Sequence, residues 1–300
     1  MKGFLAIILL LGLGLSTNAQ DLEPRVYANL PKGVIALAAN YAHTSGNVVI
    51  DPSLPITDLS VTGTNFTGGA MTTFGVGGKL ARVQVILPYM DLTGNLKVSG
   101  QDTTITRRGV ADLRIRLGIN LIGSQALTLA EFKQYQQKTI VGFSLVITAP
   151  TGQYFPDKLA NIGSNRWSVK PEIGASYRFN RVYAEAYSGI WFYTANNEFL
   201  VNKKREQEPI FSFQAHSSYY IKPFMWVGVN ANWFSGGDTI IDGVPAGTLL
   251  NNWRVGVTWS LNVSPKHSFK LQCNIGAFSS AGYDYNSISL GYQYVFFKKS

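Results

Sequence analysis

The chain has 300 residues, of which 46% are hydrophobic and 14% charged, with a formal net charge of +9. Charge this far below the usual ~25% argues against an ordinary soluble domain, yet beyond the N-terminus no segment approaches the ~18 uninterrupted apolar residues of a membrane-spanning helix. The basic residues are scattered without a Lys/Arg block, which excludes a nucleic-acid partner, and the single cysteine, Cys273, excludes a disulfide framework.

Residues 1–19 carry Lys2, an apolar core from Phe4 to Leu15 and then Ser16, Thr17, Asn18 and Ala19. This is the layout of a secretory signal peptide cleaved after Ala19, so the mature chain is expected outside the cytoplasm. Residues 20–32 are expected to be a short periplasmic segment, too short for a plug domain.

From there the chain reads as strands at 33–43, 69–79, 81–94, 109–122, 138–149, 167–179, 182–193, 209–221, 223–235, 249–262, 267–279 and 286–297. The clearest pattern runs from Trp167 to Tyr193. Trp167, Val169, Pro171, Ile173, Ala175, Tyr177 and Phe179 alternate with Ser168, Lys170, Glu172, Gly174, Ser176 and Arg178. After Asn180 and Arg181, an apolar face of Val182, Ala184, Ala186, Ile190 and Phe192 opposes Tyr183, Glu185, Tyr187, Trp191 and Tyr193. Strands of about a dozen residues, apolar on one face and sparsely charged on the other, suit a wall between lipid and a polar lumen.

The gaps sort into two kinds. Tight turns follow the second, sixth, eighth and tenth strands, whereas 44–68, 95–108, 150–166, 194–208 and 236–248 are long. The expectation is an all-β fold: a transmembrane antiparallel β-barrel of about twelve strands at 33–297, both termini periplasmic, with long extracellular loops and a tail at 298–300. The segment 123–137 breaks the sorting and reads either as a short amphipathic helix or as a longer turn. The final strand alternates Ile288, Leu290, Tyr292, Tyr294 and Phe296 with small and polar residues. It resembles the terminal strand that outer-membrane proteins present to the barrel-assembly machinery, a partner expected beside outer-membrane lipid.

On this facing the lumen receives Arg82, Asp112, Arg114, Arg116, Lys170, Glu172, Arg178, Glu185, His216, Asn230, Asn232, Arg254 and Lys270. Twelve strands at ~4.8 Å spacing and ~40° tilt leave a bore of about 10 Å or less once side chains are counted. Two readings stand. Asp112, Glu172 and Glu185 either pair with neighbouring Arg and Lys to fill the barrel, or the excess of cations makes a weakly anion-favouring pore. An Arg at Ser176, on the lumenal face, is expected to be tolerated. His216 and Ser218 lie beside Asn230 and Asn232, the residue types of an outer-membrane phospholipase, but on the lumenal face they would not reach a bilayer lipid, so no enzyme is expected. His43, His216 and His267 fall on separate strands, and neither a metal nor a cofactor is expected.

Pro150, Thr151 and Gly152 end a strand and open a loop that continues through Tyr154 and Asn161-Ile162-Gly163 to Trp167. With Leu87-Pro88-Tyr89 and Gly109-Val110-Ala111-Asp112-Leu113 upstream, this resembles the outer-membrane transporter family named for the MetA pathway of phenol degradation, from about Thr73 to Phe297. Ala111 stands where that pattern prefers Gly. The resemblance implies a Gram-negative outer-membrane location and a passive, porin-like channel for small solutes, aromatic or otherwise apolar ones included. A closed structural or adhesive barrel is the alternative, with a barrel hydrolase behind it.

Overall fold

The computed structural model describes residues 22–49, 56–98, 101–158, 160–280 and 282–297; the expected signal peptide at 1–19 and tail at 298–300 lie outside the described residues. The elements are β1 (Val34–Val49), β2 (Ile56–Val76), β3 (Lys79–Val98), β4 (Gln101–Val110), β5 (Leu113–Ile122), α1 (Leu129–Phe132), β6 (Thr139–Ala149), β7 (Ser168–Phe179), β8 (Val182–Tyr193), β9 (Asn196–Phe199), β10 (Lys203–Gln207), β11 (Ile210–Lys222), β12 (Met225–Gly236), β13 (Thr239–Ile241), β14 (Val244–Pro245), β15 (Leu250–Asn262), β16 (His267–Phe278) and β17 (Gly282–Phe297).

Thirteen strands form one antiparallel sheet. β4 prolongs β5 beyond a break at Ala111 and Asp112, both pairing with β3, so the wall has twelve positions. β2 pairs with β3, and β1 pairs with β17 from Val34 opposite Phe297, which closes the ring and leaves no free edge. Val34 and Phe297 sit at the rim that carries the short turns.

Side-chain alternation follows the sequence pattern. Ile35, Leu37, Phe66, Leu87, Trp167, Ile173, Phe179, Phe192, Leu290 and Phe296 face outward and exposed, while the polar partners on the same strands are buried. A protein whose outside is greasier than its inside needs lipid as solvent.

The long connections differ from the expected loops. Residues 44–68 largely continue β1 and β2, paired as Thr44 with Gly63 and Asn47 with Ser60. Residues 95–108 close the β3–β4 hairpin, with Lys97 opposite Asp102. Both stretches keep the Thr- and Val-rich character of strands, and with hydrogen-bond partners already in register the ladder runs on past the lipid. At the same end, β9, β10, β13 and β14 make a separate four-stranded sheet from the two connections at 194–208 and 236–248. The segment 123–137 contains a single helical turn, α1, closed by a capping box in which Glu131 and Thr128 bond reciprocally.

Ser176 corrects one expectation. It is fully buried, and its Oγ accepts from Gln137 Nε2 at 2.9 Å, so an Arg there has no space. Ile173, 55% exposed on the outer face, supplies the test of facing. Ile173→Arg is expected to cost about 2–4 kcal/mol. Heat-modified gel mobility after urea titration reads that loss; a variant as stable as the parent would mean the face does not meet lipid.

Candidate functional site

The lumen is organised by a stretch that the strand pattern does not reveal. Residues 22–33, all but Gly33 within the stretch expected outside the barrel, run back into it from the short-turn rim. Gly33 N donates to Thr73 O and Lys32 N to Leu127 O at the rim, and deeper in, Gln272 Nε2 donates to Leu22 O at 3.0 Å. A dozen residues suffice to occlude a narrow bore without any domain.

Tyr27 is the anchor. Only 2% exposed, it shares a hydrogen bond with Ser144 Oγ at 3.1 Å and donates to Glu172 Oε1 at 3.2 Å. Its ring lies against Gly142 of β6 and Gly174 of β7, which are opposite each other in register. A Cβ on Gly142 would meet the ring at 2.3 Å and one on Gly174 at 2.2 Å, so both positions require glycine while the segment is seated. The Tyr187 ring packs edge-on at 5.1 Å.

Charged groups complete the seat. Glu172 accepts from Lys170 Nζ at 2.6 Å and from Arg116 Nη1 at 3.1 Å. Arg116 also bonds Glu23 Oε2, and Arg114 stands 3.9 Å from the same carboxylate. Arg25 pairs with Glu185 at 3.4 Å and stacks on the Tyr183 ring at 4.0 Å. Arg82 donates to the carbonyls of Val26 and Ala28 and, at 3.3 Å, to Asn120 Oδ1. Burial by itself would raise the Glu23 carboxyl, but the cations led by Arg116 hold it below the ordinary carboxylate range.

The remaining predicted residues serve different ends. Asp112 faces the break in the wall, where Oδ1 accepts from Gly152 N at 2.9 Å and Oδ2 from Ser164 N at 2.8 Å. Thr151 Oγ1 accepts from Leu113 N at 3.0 Å, and Pro150 leads into this turn. Gly163 N donates to Gln153 O at 2.8 Å, and a Cβ on Gly152 would meet Ala111 C at 2.8 Å. Ile162 packs on Met90, Leu92 and Ala111. The Pro-Thr-Gly and Asn-Ile-Gly elements are therefore two halves of one lock on the strand break, and Asp112 is its acceptor.

His216 uses both ring nitrogens on amides, with Nδ1 2.8 Å from Asn230 Oδ1 and Nε2 3.2 Å from Gln214 Oε1. That is a structural hydrogen-bond set, not a nucleophile–base pair. Asn232 is fully buried and Lys270 half-buried, whereas Arg178 is exposed at the short-turn rim, where Nε donates to Asn180 O at 2.9 Å. Among the described residues no three His, Cys, Asp or Glu side chains could hold a metal.

Toward the long-loop end Val146, Trp191, Ile210 and Phe234 form an apolar layer inside one arc of the wall, with Tyr193 and Leu250 against it. Above it Arg166 lies over the Tyr193 ring at 4.5 Å, and nearby burial first, then the Arg166 charge, pulls Arg205 down to about 9. An open chamber of about 340 Å³ remains, walled by β1, β2, β3, β15, β16 and β17, by Arg114 of β5 and by Leu22 and Glu23 of the N-terminal segment.

A closed twelve-position barrel with a lipid-facing apolar exterior is an outer-membrane β-barrel. Over residues 40–292 the sequence matches the family described as "Putative MetA-pathway of phenol degradation", and the chain belongs to that family. The structure is similar to the COG4313 outer membrane channel from Pseudomonas putida F1, with 21% identity and a TM-score of 0.77, covering 92% of this chain and 100% of that one. It is also similar to the transport unit of the autotransporter AIDA-I from Escherichia coli (12% identity, TM-score 0.56, 95% and 96% covered). A third is the β domain of the Bordetella autotransporter BrkA (11%, 0.52, 88% and 100%). At these identities the likeness is one of fold. No curated protein matches the sequence.

Tyr27, Glu23 and Arg25 have no periodic signature. The one available signal was the pair of lumenal glycines, Gly142 and Gly174, that face each other across β6 and β7. In Gly174→Val the added carbons collide with the Tyr27 ring, so the segment is expected to leave its seat and bilayer conductance to rise while the barrel still folds. Unchanged conductance would show that the segment is not the obstruction. Arg116→Gln should instead strip Glu23 and Glu172 of a buried partner and destabilise the barrel by about 3–5 kcal/mol, read as a lower unfolding temperature.

Proposed function

We propose that the protein is a passive outer-membrane channel for small solutes, aromatic or otherwise apolar ones included, and not an enzyme. The observation that carries this reading is how the lumen is blocked. Side chains and a short segment obstruct it, not a folded domain, and a chamber of about 340 Å³ stays open beside them. The apolar layer of Val146, Trp191, Ile210 and Phe234 opposes hydrated ions more than apolar molecules. Membership of the phenol-degradation family and likeness to a barrel named as a channel support it.

On this reading a signal peptide at 1–19 directs export and the barrel-assembly machinery inserts the chain. The short turns and both termini face the periplasm, and solute enters at the long loops and moves down its gradient. Energy coupling is not required. The paired charges around Arg116 and Glu172 favour a second reading, a sealed scaffold.

Uptake separates the two. In cells with an intact lipopolysaccharide leaflet, expression of the chain is expected to raise the initial rate of labelled benzamide uptake several-fold, about 3- to 10-fold on the scale of a modest barrier reduction. In planar bilayers the same protein should pass little ionic current. A sealed scaffold leaves uptake at the level of the vector control.

A further inference from the structure

The net charge of +9 is scattered along the sequence, but the fold gathers much of it at one end. Every connection at the short-turn rim brings a cation: Lys79 opens β3, Lys133 and Lys138 lie between β5 and β6, Arg181 is in the β7–β8 turn, Lys222 ends β11 and Lys266 precedes β16. All are exposed. Among the described residues none of these side chains enters an ion pair. The carboxylate on this rim is that of Glu131, which accepts from Thr128 N at 2.7 Å and Thr128 Oγ1 at 2.8 Å and feels the charge of Lys32.

The long-loop end is the opposite case. There Arg108 pairs with Asp91 at 2.8 Å, Lys158 with Asp157 at 2.6 Å, Lys203 with Asp242 at 3.1 Å and Lys204 with Glu206 at 2.7 Å. Both ends carry cations, and the long-loop end keeps its own counter-charges.

The short-turn rim is also one continuous piece, because backbone N–H groups tie each connection to the next. Ala126 donates to Gly78 O at 3.0 Å, Arg178 to Lys138 O at 3.2 Å, Tyr220 to Arg181 O at 2.8 Å, Asn262 to Phe224 O at 2.8 Å and Val295 to Lys266 O at 2.8 Å. The cations therefore stand at set intervals around a closed collar. Successive turns lie two strands apart, ~10 Å, close to the Debye length of ~8 Å at physiological salt, so neighbouring fields overlap.

Just inside the collar the outer face is apolar, with Val76, Phe179, Ile221, Phe224, Phe269 and Phe296 exposed. Lys222 Nζ lies 5.8 Å from the centre of the Phe224 ring. Exposed rings of this kind enter a bilayer, which sets the charged groups flanking them at the level of the lipid headgroups. A soluble acidic partner calls for cations on one patch. These run round the circumference, where the lipids stand.

We propose that the short-turn rim is a binding collar for anionic phospholipids of the leaflet it meets, each lysine or arginine donating to a headgroup phosphate while the acyl chains lie against the exposed apolar side chains. The collar does not depend on whether the lumen conducts. On the topology given under the proposed function, this leaflet is the one that faces the periplasm.

The test is the lipid preference of the purified full chain in phosphatidylcholine vesicles, read by electron paramagnetic resonance as the motionally restricted fraction of spin-labelled phosphatidylglycerol against spin-labelled phosphatidylcholine. One Lys or Arg beside an anionic headgroup is expected to favour it about fivefold, which becomes about threefold when averaged with a leaflet that meets no collar. The preference should fade in 1 M salt, where the Debye length is ~3 Å. Arg181→Gln, Lys222→Gln and Lys266→Gln together should lower it, whereas Lys158→Gln, Lys203→Gln and Lys204→Gln together, an equal change in net charge at the other end, should leave it in place. The rim variant is expected to keep the parent's unfolding temperature in neutral detergent, since its cations have no ion-pair partner in the protein. Equal association of the two lipids with the wild-type chain overturns the collar and leaves the rim to an acidic soluble partner. A preference indifferent to salt, or one that falls equally in both variants, overturns it as well, the latter by assigning the effect to net charge alone. So does a rim variant that unfolds earlier, because its cations would then be bound within the protein.

Discussion

Charge inside a narrow cylinder is the constraint on which this structure depends. A ring of twelve strands leaves a bore of about 10 Å at most, too tight for bulk water to solvate every ionised side chain, so lumenal charges must find one another. The wall alone does not balance: strands β3, β5 and β7 bring Arg82, Arg114, Arg116 and Lys170, while Glu172 and Glu185 are the nearby carboxylates on β7 and β8. The N-terminal segment supplies partners and not net charge, since its Glu23 is offset by its own Arg25. It carries Glu23 to Arg116 and Arg114 and offers the carbonyls of Val26 and Ala28 to Arg82. It is the wall's electrostatic complement, and Tyr27 wedged over Gly142 and Gly174 fixes its depth.

The two readings left open by the sequence turn out to describe different residues. Arg116, Lys170 and Glu172 belong to a paired filling, and so does Glu185, though its partner comes from the segment and not from the wall. Asp112 belongs to neither: its acceptors hold the backbone of the Pro-Thr-Gly turn to the strand break. The glycines there have the same cause, since a Cβ on Gly152 or Gly163 would strike main chain at under 3 Å. A motif that reads as a short glycine-rich signature is a packing requirement between two loops.

What was legible followed from period two. Strands β7 and β8 match the reading almost to the residue, because lipid on one side and a polar lumen on the other force strict alternation. The same logic failed beyond the membrane, where Thr44, Thr62 and Thr64 continue the β1–β2 ladder though no face need be apolar. It failed again at residues 22–33, where the decisive contacts span 93 residues from Glu23 to Arg116 and 160 from Arg25 to Glu185. Nothing periodic links such partners, and a segment without secondary structure reads as a tether until the surface that receives it is known.

The lumen is lopsided, and the asymmetry is already written in the strands. β5 to β8 turn large charged and aromatic side chains inward, so that half of the bore is where the segment can bond and where it packs. β1, β2 and β17 turn in Asn40, Ala42, Thr44, Asn65, Thr67, Ser287 and Ser289, which are too short to cross the gap, and the chamber lies against them. Arg116 and Arg254 are the same group on opposite sides of this divide. The first is saturated by two carboxylates and reads as a bolt; the second stacks on the Tyr285 ring, and the Asp284 carboxylate lies over Gly276, its neighbour across the β15–β16 ladder.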